Sequence, residues 1–201
     1  MNSIFDIRTI EVISGNVLLS INEKELPRNL LFFPSEKLRI QLLQENPLLH
    51  DIQIRKKFPH TLTIEPIQRM GAVRLVRGEQ TVVLDWQGVV IPDTDEAVAL
   101  PKIIQSGEPA HIGQKITDYI VRQSLLFIQH LDARWSVDFV EMRDEESFIV
   151  RIGKIDSVIS QDADMKVIAA TLQTLLEGFR IKGTLPSVVD LRFDKPIVTF
   201  N

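Results

Sequence analysis

Apolar and charged residues alternate strictly from Val189 to Asp194, near the end of the chain. A period of two places Val189, Leu191 and Phe193 on one face of a strand and Asp190, Arg192 and Asp194 on the other. Ile197-Val198-Thr199-Phe200 follows as a second short strand. A strand ending a chain tends to lie at a sheet edge, where unpaired backbone groups can accept another chain's strand. Pro196 has no N–H to give to a ladder, which places it at an edge or a bulge.

The same pattern organises the rest. Ile10 and Val12 mark a strand over 7–12, and Gly15-Asn16 a turn. The stretch 17–26 has no clear period. Asn29-Leu30-Leu31-Phe32-Phe33-Pro34 is an apolar connector. Ser35 is placed to cap a helix whose first turn holds Glu36 and whose stripe is Leu38, Leu42 and Leu43, with Asn46-Pro47 ending it. Ile52 and Ile54 alternate with Gln53 and Arg55, and Leu62 and Ile64 with Thr61, Thr63 and Glu65. Residues 56–60 join the two as a hairpin.

From Met70 the texture changes. Short strands are expected at 72–76, 81–84 and 89–91, then a polar loop at 92–96. A helix is expected over 113–130, strands over 136–141 and 148–152, and a second helix over 162–177 with Met165, Ile168, Ala169, Leu172 and Leu176 inward. Asp162 and Asp164 suit that helix's N-terminus, and Gly178 and Gly183 are expected beyond its end. The fold class is therefore α+β. A small strand–helix–strand–strand domain at 1–69 precedes a mixed α/β domain at 70–201 with a mainly antiparallel sheet. No linker composition separates the two.

Composition narrows the function. The 201 residues are 44% hydrophobic and 25% charged, with a net charge of −4. That balance gives nucleic-acid binding little electrostatic support. The absence of cysteine removes disulfides, thiolate metal sites and cysteine nucleophiles. No apolar run reaches the roughly 18–20 residues needed to cross a bilayer. His50, His60, His111 and His130 lack the spacing of zinc ligands. Asp93, Asp95 and Glu96 lack the glycine and distal glutamate of a calcium loop. There is no nucleophile elbow and no phosphate-cradling glycine loop. Two tryptophans and one tyrosine are few for a sugar-binding cleft. Arg55, Lys56, Lys57, Arg69, Arg74 and Arg77, with only Glu65 against them, read either as a solvated face or as a contact for an acidic partner. Arg55 and Lys57 share one face of their strand.

With these elements in order, several short motifs fall into place. Ile10-Glu11-Val12, Asn29-Leu30-Leu31-Phe32 and the hairpin Phe58-Pro59-His60-Thr61-Leu62-Thr63-Ile64 resemble the POTRA domain of the FtsQ/DivIB cell-division proteins, the last as "P-x-T-L-x-I". Leu84-Asp85-Trp86-Gln87-Gly88-Val89 is similar to the family's "L-I-D-x-x-G", Leu100-Pro101-Lys102-Ile103 to "L-P-x-I", and Val189-Asp190-Leu191-Arg192-Phe193 to "I-D-L-R-Y". Two departures stand out. The interval from Gly15-Asn16 to Asn29 is short for the first POTRA helix and contains Pro27, which implies a truncated or absent helix. Gln68-Arg69-Met70-Gly71-Ala72-Val73 stands where "E-R-x-P-V-A" is usual.

The resemblance implies a scaffold without catalytic activity, cofactor or metal. Its partners would be FtsB/DivIC-like and FtsL-like division proteins and, through them, the septal peptidoglycan synthase complex. It implies contact by strand addition at Arg192, Phe193, Asp194, Ile197, Val198, Thr199 and Phe200, with Arg55 and Lys57 as a second contact. Phe193 and Phe200 would anchor the interface or pack in the domain core. It also implies the extracytoplasmic part of a single-pass inner-membrane protein at the septum, its membrane helix lying outside this sequence and Met1 introduced by truncation. The alternative is a POTRA module of an outer-membrane assembly or secretion protein; a wall-cleaving enzyme is a third, more distant reading.

Overall fold

The computed structural model describes residues 4–13, 19, 21, 26–93 and 100–200. The Gly15-Asn16 turn, most of the interval where a first POTRA helix was in question, and Asp95 and Glu96 lie outside the described residues. The chain divides into two compact units, Met1–Arg69 and Met70–Asn201.

The first unit has the order β1 (Thr9–Val12), α1 (Ser35–Glu45), β2 (Leu49–Lys57), β3 (Thr61–Gln68). Central β3 pairs parallel with β1 and antiparallel with β2. Leu38 and Leu42 of α1 bury against Leu49, Ile52, Leu62 and Ile64 of the sheet, and Leu30 and Phe33 complete the core. Ser35 is the first helical residue rather than the cap. Pro34 stands at the N-cap, and no side chain caps this end. With Pro34 in the N-cap place, Ser35 falls at the first helical position, where its hydroxyl is not placed to cap the free N–H groups. At the other end Asn46 Nδ2 donates to the Leu42 carbonyl at 2.9 Å, satisfying one of the last free acceptors.

The second unit contains β4 (Val73–Arg77), β5 (Gln80–Leu84), β6 (Val90–Ile91), β7 (Lys102–Ile104), α2 (Tyr119–His130), β8 (Phe139–Met142), β9 (Ser147–Ile152), β10 (Ile155–Ser160), α3 (Met165–Ile181), β11 (Val188–Asp190) and β12 (Ile197–Thr199). Its nine-stranded sheet runs β12-β11-β10-β9-β8-β7-β4-β5-β6 and is mixed but mainly antiparallel. Phe148, Val150, Ile152 and Ile159 of the sheet bury with Val121 and Leu125 of α2 and with Ala169, Leu172 and Leu176 of α3. Alternate positions face the other way. There Arg151 of β9 pairs with Asp156 of β10 and lies over the Phe139 ring at 5.2 Å.

Three expectations need correction. The helix expected over 113–130 begins only at Tyr119. Gly113 has φ +83°, a left-handed value that interrupts a helix, and residues 113–116 instead bond to Gly88 in the turn before β6 and to Val90, the first residue of β6. The second helix runs on to Ile181, so Gly178 lies inside it and only Gly183, at φ +76°, lies past its end. At its start Asp164 is the cap, its carboxylate accepting from the N–H groups of Lys166 and Val167 at 2.9 and 3.2 Å. Asp162 instead accepts from the Tyr119 hydroxyl at 3.4 Å.

Candidate functional site

Strand β12 is the edge of the nine-stranded sheet. It pairs antiparallel with β11 through Val188↔Thr199, Val189↔Val198 and Asp190↔Ile197. Among the described residues no strand pairs on its other side. The direction of its backbone groups follows from the neighbouring ladder. The Asp156 N–H donates to the Ser187 carbonyl at 2.9 Å, and the Leu191 N–H donates to the Val158 carbonyl at 2.8 Å. Alternation then turns the backbone of Val188 and Asp190 toward β12, where Thr199 and Ile197 face them. The Thr199 carbonyl accepts from the Ser187 N–H at 2.8 Å, so Thr199 faces β11, although Ser187, just before the strand, departs from its alternation. The N–H and C=O of Val198 therefore point away from the sheet. Pro196, two residues earlier, sits on that same outward side, where its missing N–H costs nothing to the ladder.

The side chains alternate in turn. Val198 packs against the unit's core, while Ile197 is 56% exposed. Phe200 is about half exposed, with its ring edge-on to Phe179 of α3 at 5.3 Å. It is both a packing residue and a surface residue.

The strand expected over 189–194 stops at Asp190. The Asp190 carboxylate accepts from the Arg192 backbone N–H at 3.1 Å and from its guanidinium at 2.7 Å. This side-chain-to-backbone bond competes with the ladder and bends the chain out of the strand. The hydrogen bonds from the Arg192 guanidinium hold the Asp190 carboxyl below the usual aspartate range. Leu191 stays buried, but Phe193 is 54% exposed, so it is not on the core face that the alternation assigned to it. The Arg192 guanidinium lies 5.6 Å from its ring centroid. Arg192 and Phe193 form one wall of a surface cavity of about 540 Å³, the rest lined by Asp144, Glu145, Glu146, Ser147 and Ser160.

The opposite edge, at β6, is closed. The Val90 N–H donates to the Gln114 carbonyl at 2.9 Å, the Gly113 N–H to the Val90 carbonyl at 2.8 Å, and the Ile116 N–H to the Gly88 carbonyl at 2.8 Å. The turn leading into β6 is fixed from below by Asp85, 3% exposed, whose carboxylate accepts from the Gln87 and Val89 N–H groups. Gly88 completes it at φ +77°. Nothing in the spacing of 113–118 distinguished this cap from the start of a helix.

The basic stretch is not a continuous cationic face. Lys57 pairs with Glu11 at 3.0 Å, and Arg55 lies 3.8 Å from Glu65 and donates to Gln53. Lys56 donates to the Leu31 carbonyl at 3.1 Å and Arg69 to the Pro47 carbonyl at 2.8 Å. In the other unit Arg74 grips Asp93 through two bonds, and nearly buried Arg77 pairs with Asp118 at 2.8 Å. Glu65 is thus not the only acid facing these cations. Glu11, Asp93 and Asp118 come from outside the stretch.

What this arrangement can do is bind a strand. Its donors and acceptors are backbone groups at an edge, with exposed Ile197 on the strand and half-exposed Phe200 at its end, while Phe193 faces the cavity beside Asp144, Ser147 and Ser160. No group of three or more His, Asp or Glu among the described residues could hold a metal ion, and no described helix is long and apolar enough to cross a membrane.

Comparison with known proteins agrees with this architecture. Residues 5–65 match the family model of the FtsQ-type POTRA domain. The first unit is accordingly an FtsQ-type POTRA domain. The chain is also similar to the cell division protein DivIB of Clostridium tetani (strain Massachusetts / E88), with 20% identity over 168 residues. That match covers 79% of this chain and 63% of the relative, so the chain spans a little under two thirds of the protein it resembles. Taken together, the POTRA match over the first unit and the DivIB similarity over most of the chain support an FtsQ/DivIB-type reading.

Proposed function

We propose that this chain is a non-enzymatic division scaffold whose residues 70–201 act as the FtsQ-type β-domain. A strand of an FtsB/DivIC-like partner adds to β12, with an FtsL-like protein in the same complex, and the assembly is linked to septal peptidoglycan synthesis. Ile197, Val198, Thr199 and Phe200 supply the edge; Arg192, Phe193 and Asp194 flank its beginning. The chain works on the extracytoplasmic side of the inner membrane, tethered by a membrane helix outside this sequence. Arg55 and Lys57, each with a partner in its own sheet, are a weaker candidate for a second contact.

One observation carries the reading: β12 ends the sheet with the Val198 backbone turned outward, while the other end is capped. Main-chain bonds to an added strand give affinity, and its alternate side chains give register. The test is a calorimetric titration of a peptide from the FtsB/DivIC-like partner against wild type, Val198→Pro and Val198→Ala. Proline removes the outward donor and crowds the incoming strand. Alanine keeps the donor and trims the packing. The proline variant is expected to bind at least about tenfold more weakly, the worth of roughly one hydrogen bond, and the alanine variant to stay within about threefold. Equal affinity for wild type and the proline variant rejects the mechanism.

A further inference from the structure

The first unit carries a set of apolar side chains that its own core does not use. Phe32 is 79% exposed, Ile4 72%, Phe58 54% and Leu31 46%. Three chain segments converge to hold them at one end of this unit. The Leu30 N–H donates to the Phe5 carbonyl at 2.8 Å, and the Ile7 N–H to the Arg28 carbonyl at 2.7 Å. The Arg8 N–H reaches the His60 carbonyl at 2.9 Å. The Phe5 and Phe58 rings meet edge to face at 5.9 Å.

The exposure is built, not frayed. The Asn29 carboxamide oxygen accepts from the N–H groups of Leu31 and Phe32 at 3.0 and 3.4 Å. That local turn sends Leu30 and Phe33 into the core and leaves Leu31 and Phe32 outside. Two adjacent hydrophobic residues are thus held in water at the cost of ordering.

Among the described residues at this end, cations outnumber acids: Arg8, Arg28 and Lys56 stand against Asp6, whose backbone bridges to Asn29. Arg8 and Arg28 are exposed and make no ion pair among the described residues. The Lys56 ammonium rests on the Leu31 carbonyl, not on a carboxylate. Aromatic and aliphatic side chains on turns, with an excess of cations beside them, are the chemistry of the boundary between lipid headgroups and acyl chains when the lipid is anionic. We propose that this end of the POTRA domain docks on an anionic lipid surface. Phe32, Phe58, Ile4 and Leu31 enter the headgroup region, and Arg8, Arg28 and Lys56 meet the phosphates. None of these residues belongs to the β12 edge, so either proposal can fail without the other.

The experiment is co-sedimentation of the full chain with vesicles of phosphatidylcholine alone or mixed with phosphatidylglycerol, at low and high salt. Wild type is expected to partition onto the mixed vesicles, less so at high salt, and weakly onto pure phosphatidylcholine. The double variant Phe32→Ser/Phe58→Ser should lower that partition at least about tenfold. Arg8→Glu/Arg28→Glu should lower it on the anionic vesicles only. Phe32→Ser alone, at the most exposed position of the set, must also lower it, and with an unchanged melting curve. Failure of wild type to bind the anionic vesicles overturns the proposal. So does full binding by the serine variants, or sedimentation velocity showing that Phe32 and Phe58 instead hold two copies of the chain together.

Discussion

One sheet in this molecule ends in two different ways. At β6 the last strand is only two residues long, and residues 113–116 supply the partners its outer backbone needs. At β12 the last strand is also short, but Val198 directs its N–H and C=O away from the sheet with no described strand to receive them. Proteins generally blunt their edges, because an open edge recruits other chains. Here one side is blunted with a dedicated segment and the other only by Pro196 and by shortness. The difference makes β12 the side on which to look for a partner.

The comparison can be broken most severely from the closed side. A Cβ on Gly88 would lie 2.9 Å from the Ile116 carbonyl oxygen, at a φ of +77°. Gly88→Ala should therefore lift the capping segment off β6 and cost about 1–3 kcal/mol, read as a lowered denaturation midpoint. If the cap matters as argued, the variant should also self-associate at concentrations where wild type does not. A monomeric variant of wild-type stability removes the contrast.

Next in size is the open side. Val198→Pro should weaken partner-strand binding by at least about tenfold while the melting curve shows a cooperative fold. Smaller effects separate the two phenylalanines. Phe200→Ala loses the ring contact with Phe179 and should cost about 0.5–1.5 kcal/mol beyond lost area. Phe193→Ala, on an exposed ring, should stay within about 0.5 kcal/mol yet weaken binding if it anchors the partner. Equal destabilisation by both would show that Phe193 is held more firmly than its exposure implies.

The smallest effect is a pH dependence. The Asp190 carboxyl is held below its ordinary value by hydrogen bonds from Arg192. A folded-state pKa below the unfolded one, about 3.9, stabilises the protein above that pH. The contribution is lost as pH falls through the folded value. The stability difference between wild type and Asp190→Asn should thus be constant from pH 7 to about 5 and shrink below about 4. A difference that grows on acidification contradicts the pairing.

The first unit was the more legible half. Alternation in Ile52, Ile54, Leu62 and Ile64 and the stripe of Leu38 and Leu42 correspond to buried positions or to side chains packed on them. The second unit hid more. Strand β10 went unread because Ser157 occupies a fully buried inward position while outward-facing Val158 is also buried, which erases the alternation a strand is recognised by. The basic stretch misled because its counter-charges are distant in sequence: Glu11 meets Lys57 across 46 positions. Phe193 misled for a local reason, since the Asp190 side chain takes the Arg192 N–H and ends the strand before the alternation does. The candidate edge at β12 was legible from Pro196 and from the short strand that follows it, whereas the alternating segment begins in β11, an interior strand paired with both β10 and β12. That the other edge is closed was not legible, because a capping segment shares the apolar spacing of a helix.

The most direct measurement is residue-resolved amide hydrogen exchange on the free chain and on the chain saturated with partner peptide. The account predicts that the Val198 amide exchanges quickly in the free protein, that the Val90 amide is protected throughout, and that Val198 becomes protected on binding. Protection of Val198 in the free chain, or its continued fast exchange in the complex, would contradict the claim that this edge is where a foreign strand is received.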